Sequence, residues 1–497
     1  MLLNEQFKNL ENATYMKVIS ITIILLVAGS LNLFAQWEPD FRLTNDPGSS
    51  STYSTLGNAK TITANGNVLH VVWSDDRNGN NEIFYKRSTD WGQSWGPDIR
   101  QTNDGLHSVC PSVAVSGSMV YIVWKVHNAG TYNIFYKRST DGGESWEDGK
   151  ILSNLTGYST NPSVAASGVD VHVAWFNYFI PWQNNWIYYK HSTDGGESWA
   201  PDTLLSSVNG YSILPSLAVS GSNVHMVWQD VNIRSIIYKS STNGGETWGM
   251  STRLTDYSGG SMRPTISVSG SIIHVAGESF REGNSEIYYK RSTDGGTTWG
   301  ADTLLTYNIL HQFCPSISAS GATVHIVWQD NRDDNYEIYY KRSLDNGADW
   351  EEEMRLTNNP ASSINPSIAV LSTDVNVIWS DNRDGNDEIY YKRNPTGSII
   401  GINNISSEIP DHFSLSQNYP NPFNPVTVIK YSLLADNYTT LKIYNILGNE
   451  ITTLIDQNQN AGSYSVEFDG SNYVSGLYYY KLESGNFIGV KKMILVK

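Results

Sequence analysis

The tryptophans of this chain are evenly spaced. Trp95, Trp146, Trp199, Trp248, Trp299 and Trp350 stand 51, 53, 49, 51 and 51 residues apart. Each closes a copy of one box, and STDGGESW occurs letter for letter at 139–146 and at 192–199. A second marker, the second aromatic of I-Y-Y-K, recurs at Tyr85, Tyr136, Tyr189, Tyr238, Tyr289, Tyr340 and Tyr391, which makes seven copies rather than six. A period of this length limits the fold more than any local propensity does. Each unit has to bury its apolar faces against its neighbours.

One unit reads PSVAVSG, then VHVVWxD, then EIYYKRS, then the box, then a short run ending in LT. Each run is β-branched or aromatic and bounded by Gly, Asn, Asp or Ser, so one unit is four short strands. Four strands in about 50 residues predict a propeller blade. The seventh copy stops after YYKRNPTG and lacks its fourth strand, while WEPDFRLTND at 37–46 matches WGPDIRQTND at 95–104. The expected fold is therefore all-β: a seven-bladed β-propeller of four-stranded blades, the last closed by the N-terminal strand 37–44. Closing the ring this way hides the sheet edges.

The box S-x-D-x-G-x-x-W is similar to the Asp-box of bacterial neuraminidase repeats. With the blade pattern, it makes residues 37–397 resemble the sialidase superfamily, usually six-bladed. Its physics is local. The Asp carboxylate accepts N–H groups of a tight turn, Gly143 and its equivalents adopt positive φ, and the Trp is expected to fold back over the turn. Asn243 replaces the Asp in the fourth copy, and Leu344 and Asn346 vary the sixth. Strand alternation puts the box, a 3→4 loop, on the face opposite the 2→3 and 4→1 loops. The box is frame.

What every blade shares is expected to be frame as well. His70, His172, His225, His274 and His325 hold one strand-two position and read as packing or hydrogen-bonding histidines, too far apart around a ring for one metal. The recurring Asp75/Arg77/Glu82, Asp330/Arg332/Glu337 and Asp381/Arg383/Glu388 predict Arg–carboxylate pairs at the 2→3 hairpin. No cofactor and no metal site is predicted. A structural calcium ion at these segments stays open, with spacing unlike that of a DxDxDG loop.

What one blade changes is a candidate for function. The first 4→1 loop, 45–59, is seven residues longer than the others. Blade 3 has an insertion with Phe176, Tyr178, Phe179, Trp182 and Trp186. Blade 5 has Gly277 for the strand-two Trp, then Glu278, with Arg263 before its Pro and Arg281 nearby. Blade 2 carries Lys125 and His127. A position four before the Pro holds His107, Tyr158, Tyr211 and His311. All fall on the 2→3 and 4→1 face, where aromatics beside charges suit sugar stacking. The predicted ligand-binding set is Arg263, Arg281, Tyr178, Trp182, Trp186, Lys125, His107, Tyr158, Tyr211 and His311. Glu278 is the catalytic candidate. Cys110 and Cys314, the only cysteines, lie in distant blades and are expected to be free, buried thiols.

The ends of the chain speak of export. Met16-Lys17, the apolar run to Ala35 and Gln36 read as a secretory signal peptide over 1–35, with Met16 as a candidate start. Residues 36–397 form the propeller, 398–411 a linker and 412–497 a second domain. QNYPNPFNP, YNILG, SGLYYYKL and the ending VKKMILVK make that domain closely similar to the type A sorting domain of the type IX secretion system. The resemblance implies a small β-sandwich, the secretion machinery as partner, and an extracellular or outer-membrane-surface location. No integral membrane span is expected after signal removal. The net charge of −16 argues against nucleic acid.

The first functional reading is a propeller that binds a glycan or cell-surface polysaccharide through the 2→3 and 4→1 face. A sialidase-like exo-glycosidase and a structural or adhesive surface protein stay open. Sialidases use three Arg, a Tyr–Glu pair and an Asp. The usual F-R-I-P stretch is missing, Met262-Arg263-Pro264 echoes it with different spacing, and no catalytic set is carried over. Hydrolysis predicts two carboxylates in one pocket or a Tyr beside a Glu. Adhesion predicts a flat, closed mouth.

Overall fold

In the computed structural model of the chain, residues 37–497 are described apart from 53–59, 129, 155–156, 179–183, 208–209, 256–259, 282, 372, 396–402, 407–409, 411, 425, 436, 460 and 471–472. The expected signal peptide, Phe179 and Trp182 lie outside the described residues. Two compact units separate, residues 37–399 and residues 400–497.

Among the described residues the first unit is built from four four-stranded sheets, one five-stranded sheet and one eight-stranded sheet that carries the second and third repeats, so that seven antiparallel units follow one another. In the fifth, Ser261–Ser269, Ile272–Ser279, Glu286–Ser292 and Thr303–Leu304 pair in chain order. The first strands touch in a closed cycle: Ile62–Asn65, His107–Ser116, Tyr158–Ser167, Ser212–Ser220, Ser261–Ser269, Gln312–Ser320, Ser363–Leu371, and back to Ile62–Asn65. They line the axis. Second strands such as Val68–Asp75 are buried almost throughout, because both of their faces meet neighbouring blades. The second and third repeats are joined by one further bridge between Tyr132 and Tyr158.

The ring closes as the sequence predicts. Phe41–Arg42 pairs with the third strand of the seventh blade, Phe41 opposite Tyr391 and Arg42 opposite Tyr390. Arg42 reaches Glu388 at 2.6 Å and Arg383 reaches Asp40 at 2.8 Å. The long first loop is placed differently. Ser50 and Ser51 already pair with Asp75 and Ser74, and Ile62–Asn65 pairs with the same strand from Val71 to Val68, while 53–59 lie outside the described residues.

The boxes are turns held by their own side chains. Asp141 accepts the Ser145 N–H at 2.9 Å and the Ser139 hydroxyl at 2.7 Å, while Gly143 N–H donates to Ser139 Oγ at 2.8 Å. The Trp does something the sequence reading missed: it packs on the preceding blade. Trp146 meets Tyr85 edge-on with ring centroids 4.9 Å apart, and Trp95–Tyr391, Trp199–Tyr136, Trp248–Tyr189, Trp299–Tyr238 and Trp350–Tyr289 repeat the contact. Trp37, outside any box, completes the circle on Tyr340 at 5.0 Å. Five of these tyrosines are fixed from the other side by the shared histidines, as in His70 Nδ1 to Tyr85 Oη at 2.8 Å. Burial lowers His70, His172, His225 and His274 to about 4 and His325 to about 3, so all five are neutral packing groups.

The second unit is a two-sheet sandwich. One sheet orders its strands Asn403–Ser406, Gly462–Asp469, Val426–Leu433, Ser414–Leu415; the other orders them Glu450–Gln459, Asn437–Tyr444, Gly476–Ser484, Phe487–Leu495. Residues 403–406, expected as linker, are thus a strand. The QNYPNPFNP segment is pinned inward: Asn418 N–H donates to Tyr480 Oη at 2.8 Å, and Phe423 is buried in the core. Among the described residues, no helix is long and apolar enough to cross a membrane.

Candidate functional site

The loop-face mouth of the ring is shaped by one repeated irregularity. Each first strand from the second blade on slips register just before its Pro. The residue at the slip is left-handed: Cys110 (φ 58°), Asn161 (50°), Leu214 (56°), Arg263 (46°), Cys314 (53°) and Asn365 (53°). For non-glycine residues this costs roughly 1–2 kcal/mol each, so the surroundings have to hold them. In some blades the residue after the strand-two Trp reaches across to this backbone. Gln329 Oε1 accepts the Asn365 N–H at 2.8 Å, Gln229 Oε1 faces the Arg263 N–H at 3.5 Å, and Ser380 Oγ accepts the Thr52 N–H at 2.9 Å.

Glu278 occupies this same position in the fifth blade. Its Oε1 accepts the Cys314 N–H at 2.7 Å and its Oε2 accepts Arg263 Nη1 at 2.8 Å. The side chain is 0% exposed. Burial raises the carboxyl to about 7, against the pull of Arg263 and of the Cys314 amide. Its geometry is that of a clamp between blades, with a charge where neighbours carry an amide. Arg263 lies 5.8 Å from the Phe313 ring centre, and Phe313 stacks on His311 at 5.5 Å. His311 Nδ1 also accepts the Ser285 N–H at 3.1 Å.

Arg281 does not join them. It pairs with Asp302 at 2.8 Å and lies over Tyr288 at 3.6 Å. Arg77 over Phe84, Arg332 over Tyr339 and Arg383 over Tyr390 show the same arrangement, so Arg281 is a frame arginine. The shared Asp–Arg pairs form as expected, with Arg77 Nε donating to Asp75 at 2.8 Å. The following Glu bonds elsewhere: Glu82 takes Arg100 of the fourth strand at 2.7 Å. The carboxylates proposed for calcium are thus filled by arginine. Among the described residues no group of three or more His, Cys, Asp or Glu is arranged for a metal ion.

A second cluster spans blades two and three. Tyr158 and Tyr178 stack at 4.7 Å with 13° between their planes, and Tyr132 meets both edge-on at 5.1 and 6.2 Å. Lys125, 7% exposed, holds its ammonium 5.0 Å from the Tyr132 ring centre, a cation–π contact. His127 meets the same ring at 4.9 Å and lies opposite His107 across the strands. Burial pushes the Tyr178 hydroxyl up to about 12, so it stays a neutral donor. Trp186 is half-buried opposite Asn177. Tyr211 is half-buried and linked to this edge by a bridge with Asn185.

Of the predicted residues, the structure gathers Lys125, Tyr158, Tyr178 and His107 on one edge of the mouth, and Arg263, Glu278 and His311 on another. Tyr132 was missed, although Thr131-Tyr132-Asn133 stands where other blades read N-x-E. The narrow neck of the mouth is lined by Thr52, Lys60, Ser163, Ser216, Thr265, Cys314 and Asn365 among others, with no carboxylate. Cys110 and Cys314 form no disulfide with each other; Cys110 is buried and Cys314 half-buried.

Fold and mouth define an all-β, propeller-type protein that also carries a small sandwich unit. Residues 417–497 match the family model "Secretion system C-terminal sorting domain". The chain is therefore a type IX secretion cargo, destined for the extracellular space or cell surface. Solved structures similar to it include the polysaccharide lyase Uly1, at 10% identity over 72% of this chain and 99% of that one with a TM-score of 0.49. Trypanosoma rangeli sialidase is similar at 11% identity over 80% and 85%, with a TM-score of 0.42. At such identities and scores neither likeness bears on what this chain binds. No curated protein matches it in sequence.

Proposed function

We propose that this is an exported glycan-binding propeller that works without catalysis, engaging surface polysaccharide through its 2→3 and 4→1 loop face. The observation that carries the reading is the Lys125–Tyr132–Tyr158–Tyr178 cluster, with His107 and His127 at its margin. Half-buried rings are held in fixed orientations beside a cation and hydroxyl donors. Rigid aromatics offer sugar C–H faces a platform at little entropic cost. The sorting domain gives the propeller a place to meet such ligands. Against hydrolysis stands the state of Glu278: enclosed, with each oxygen already taken by a protein donor.

The test is a glycan-array screen of the full mature chain beside a fluorogenic sialoside assay. Binding without turnover, lost in Tyr178→Ala and weakened in Lys125→Met, is the expected result. Turnover abolished by Glu278→Gln would make the protein an enzyme instead. Silence in both assays would leave an adhesive or structural role.

A further inference from the structure

The central neck has one residue out of keeping with its repeat. Pro111, Pro162, Pro215, Pro264, Pro315 and Pro366 occupy one first-strand position, and the first blade has Lys60 there. The position belongs to the axis: Lys60 C=O accepts the Val113 N–H of the next blade at 2.9 Å. Lys60 lines the neck. It is water-accessible. Among the described residues no carboxylate pairs with it, although 49 acidic residues face 33 Lys and Arg in the chain.

The rest of the lining suits a negative guest. Ser163 Oγ accepts the Leu217 N–H at 3.1 Å, and Ser316 Oγ accepts the Ile368 N–H at 3.2 Å. A serine oxygen that accepts a backbone N–H still has its own O–H to donate. The neck thus offers one ammonium and hydroxyl donors, with no acid to compete. An ammonium without a counter-charge, beside hydroxyl donors and no acid, favours an anion as guest.

We propose that the neck of the propeller is a binding site for a small monovalent anion, held by the Lys60 ammonium and by the hydroxyls of Ser163 and Ser316. The ligand class is a halide or a single carboxylate; the narrow lining excludes a sugar ring. The site is separate from the tyrosine cluster and does not depend on glycan binding.

Bromide and acetate are the probes. Each is titrated calorimetrically into the full mature chain in a HEPES buffer free of other small anions, and a bromide-soaked crystal is examined for anomalous scattering. Saturable binding of at least one probe is expected, with bromide found beside Lys60 Nζ if bromide is the binder. Lys60→Met should weaken it on the order of tenfold or more, the worth of a charge-assisted hydrogen bond, and Lys60→Arg should restore it. Lys60→Pro, which installs the residue of the other six blades, should fold and lose the anion; it serves should Lys60→Met fail to fold. Absence of binding by both probes, or affinity unchanged in a folded Lys60 variant, overturns the proposal.

Discussion

Cys314 N–H donates to Glu278 across a blade boundary at 2.7 Å, just as Asn365 N–H donates to Gln329 at 2.8 Å one blade further on. One is a charged copy of the other. Glu278→Gln should therefore fold. Because burial raises the Glu278 carboxyl from 4.5 to about 7, the folded chain holds this proton more tightly than the unfolded one. Stability is then lost as pH rises from 4.5 towards 7 and stays lower above. In urea titrations the variant should match wild type in acid and exceed it above neutrality, by on the order of 2 kcal/mol. A variant less stable at every pH would assign the carboxylate a part an amide cannot play.

The histidines titrate in the opposite sense. His70, His172, His225 and His274, lowered from 6.5 to about 4, stay neutral in the folded chain while the unfolded chain takes up protons. Stability should fall as pH drops below 6.5. The seventh blade shows how to remove one contribution: there Tyr391 donates to Asn376 at 2.7 Å. His225→Asn should keep its tyrosine in place and lower the proton uptake on acid unfolding by about one, measured as the pH dependence of the urea midpoint.

Two adjacent box glycines should differ sharply. Gly142 has φ 73° and open space around it, so Gly142→Ala should cost only the backbone strain, about 1 kcal/mol. A Cβ on Gly143 would lie 2.0 Å from the Tyr85 hydroxyl, on the ring that Trp146 covers. Gly143→Ala should cost about 3 kcal/mol or more. Equal costs by chemical denaturation would mean that blade-to-blade packing at the box is slack.

Closure rests on charge as well as pairing. Asp40 takes Arg383 at 2.8 Å and Lys392 at 2.9 Å. Asp40→Ala leaves both partly buried cations without that partner, and about 1–3 kcal/mol should be lost. Deleting 37–44 should go further, exposing the Glu388–Asn394 edge to other chains. Light scattering during thermal unfolding separates the two: aggregation is expected from the deletion alone.

The fold was legible because each unit was written seven times, so strand limits and the shared seventh blade followed from comparison within the chain. The site was less so, since contacts between blades join residues about 50 apart. Arg281 looked unattached because Ser279 replaces its usual neighbouring Asp, whereas Asp302, in the fourth strand's approach, pairs with it. Glu278 looked like chemistry because charge at a departing position draws the eye; its kinship with Gln329 needed the register of the next blade. The Trp–Tyr contact was hidden in the same way. Lys60 was visible as a lone break in a column of prolines, but that column's place on the axis was not.

Arg42 and Glu388, 346 positions apart, meet in one blade. The segment that opens the propeller is therefore among the last of it to be seated. Until the seventh repeat exists, the circle has no partner for its opening strand, and that strand must wait unpaired through nearly the whole length of synthesis. Completion of the propeller is a single late event, and export acts on a chain whose earliest and latest propeller residues have to reach the same place before either is secure.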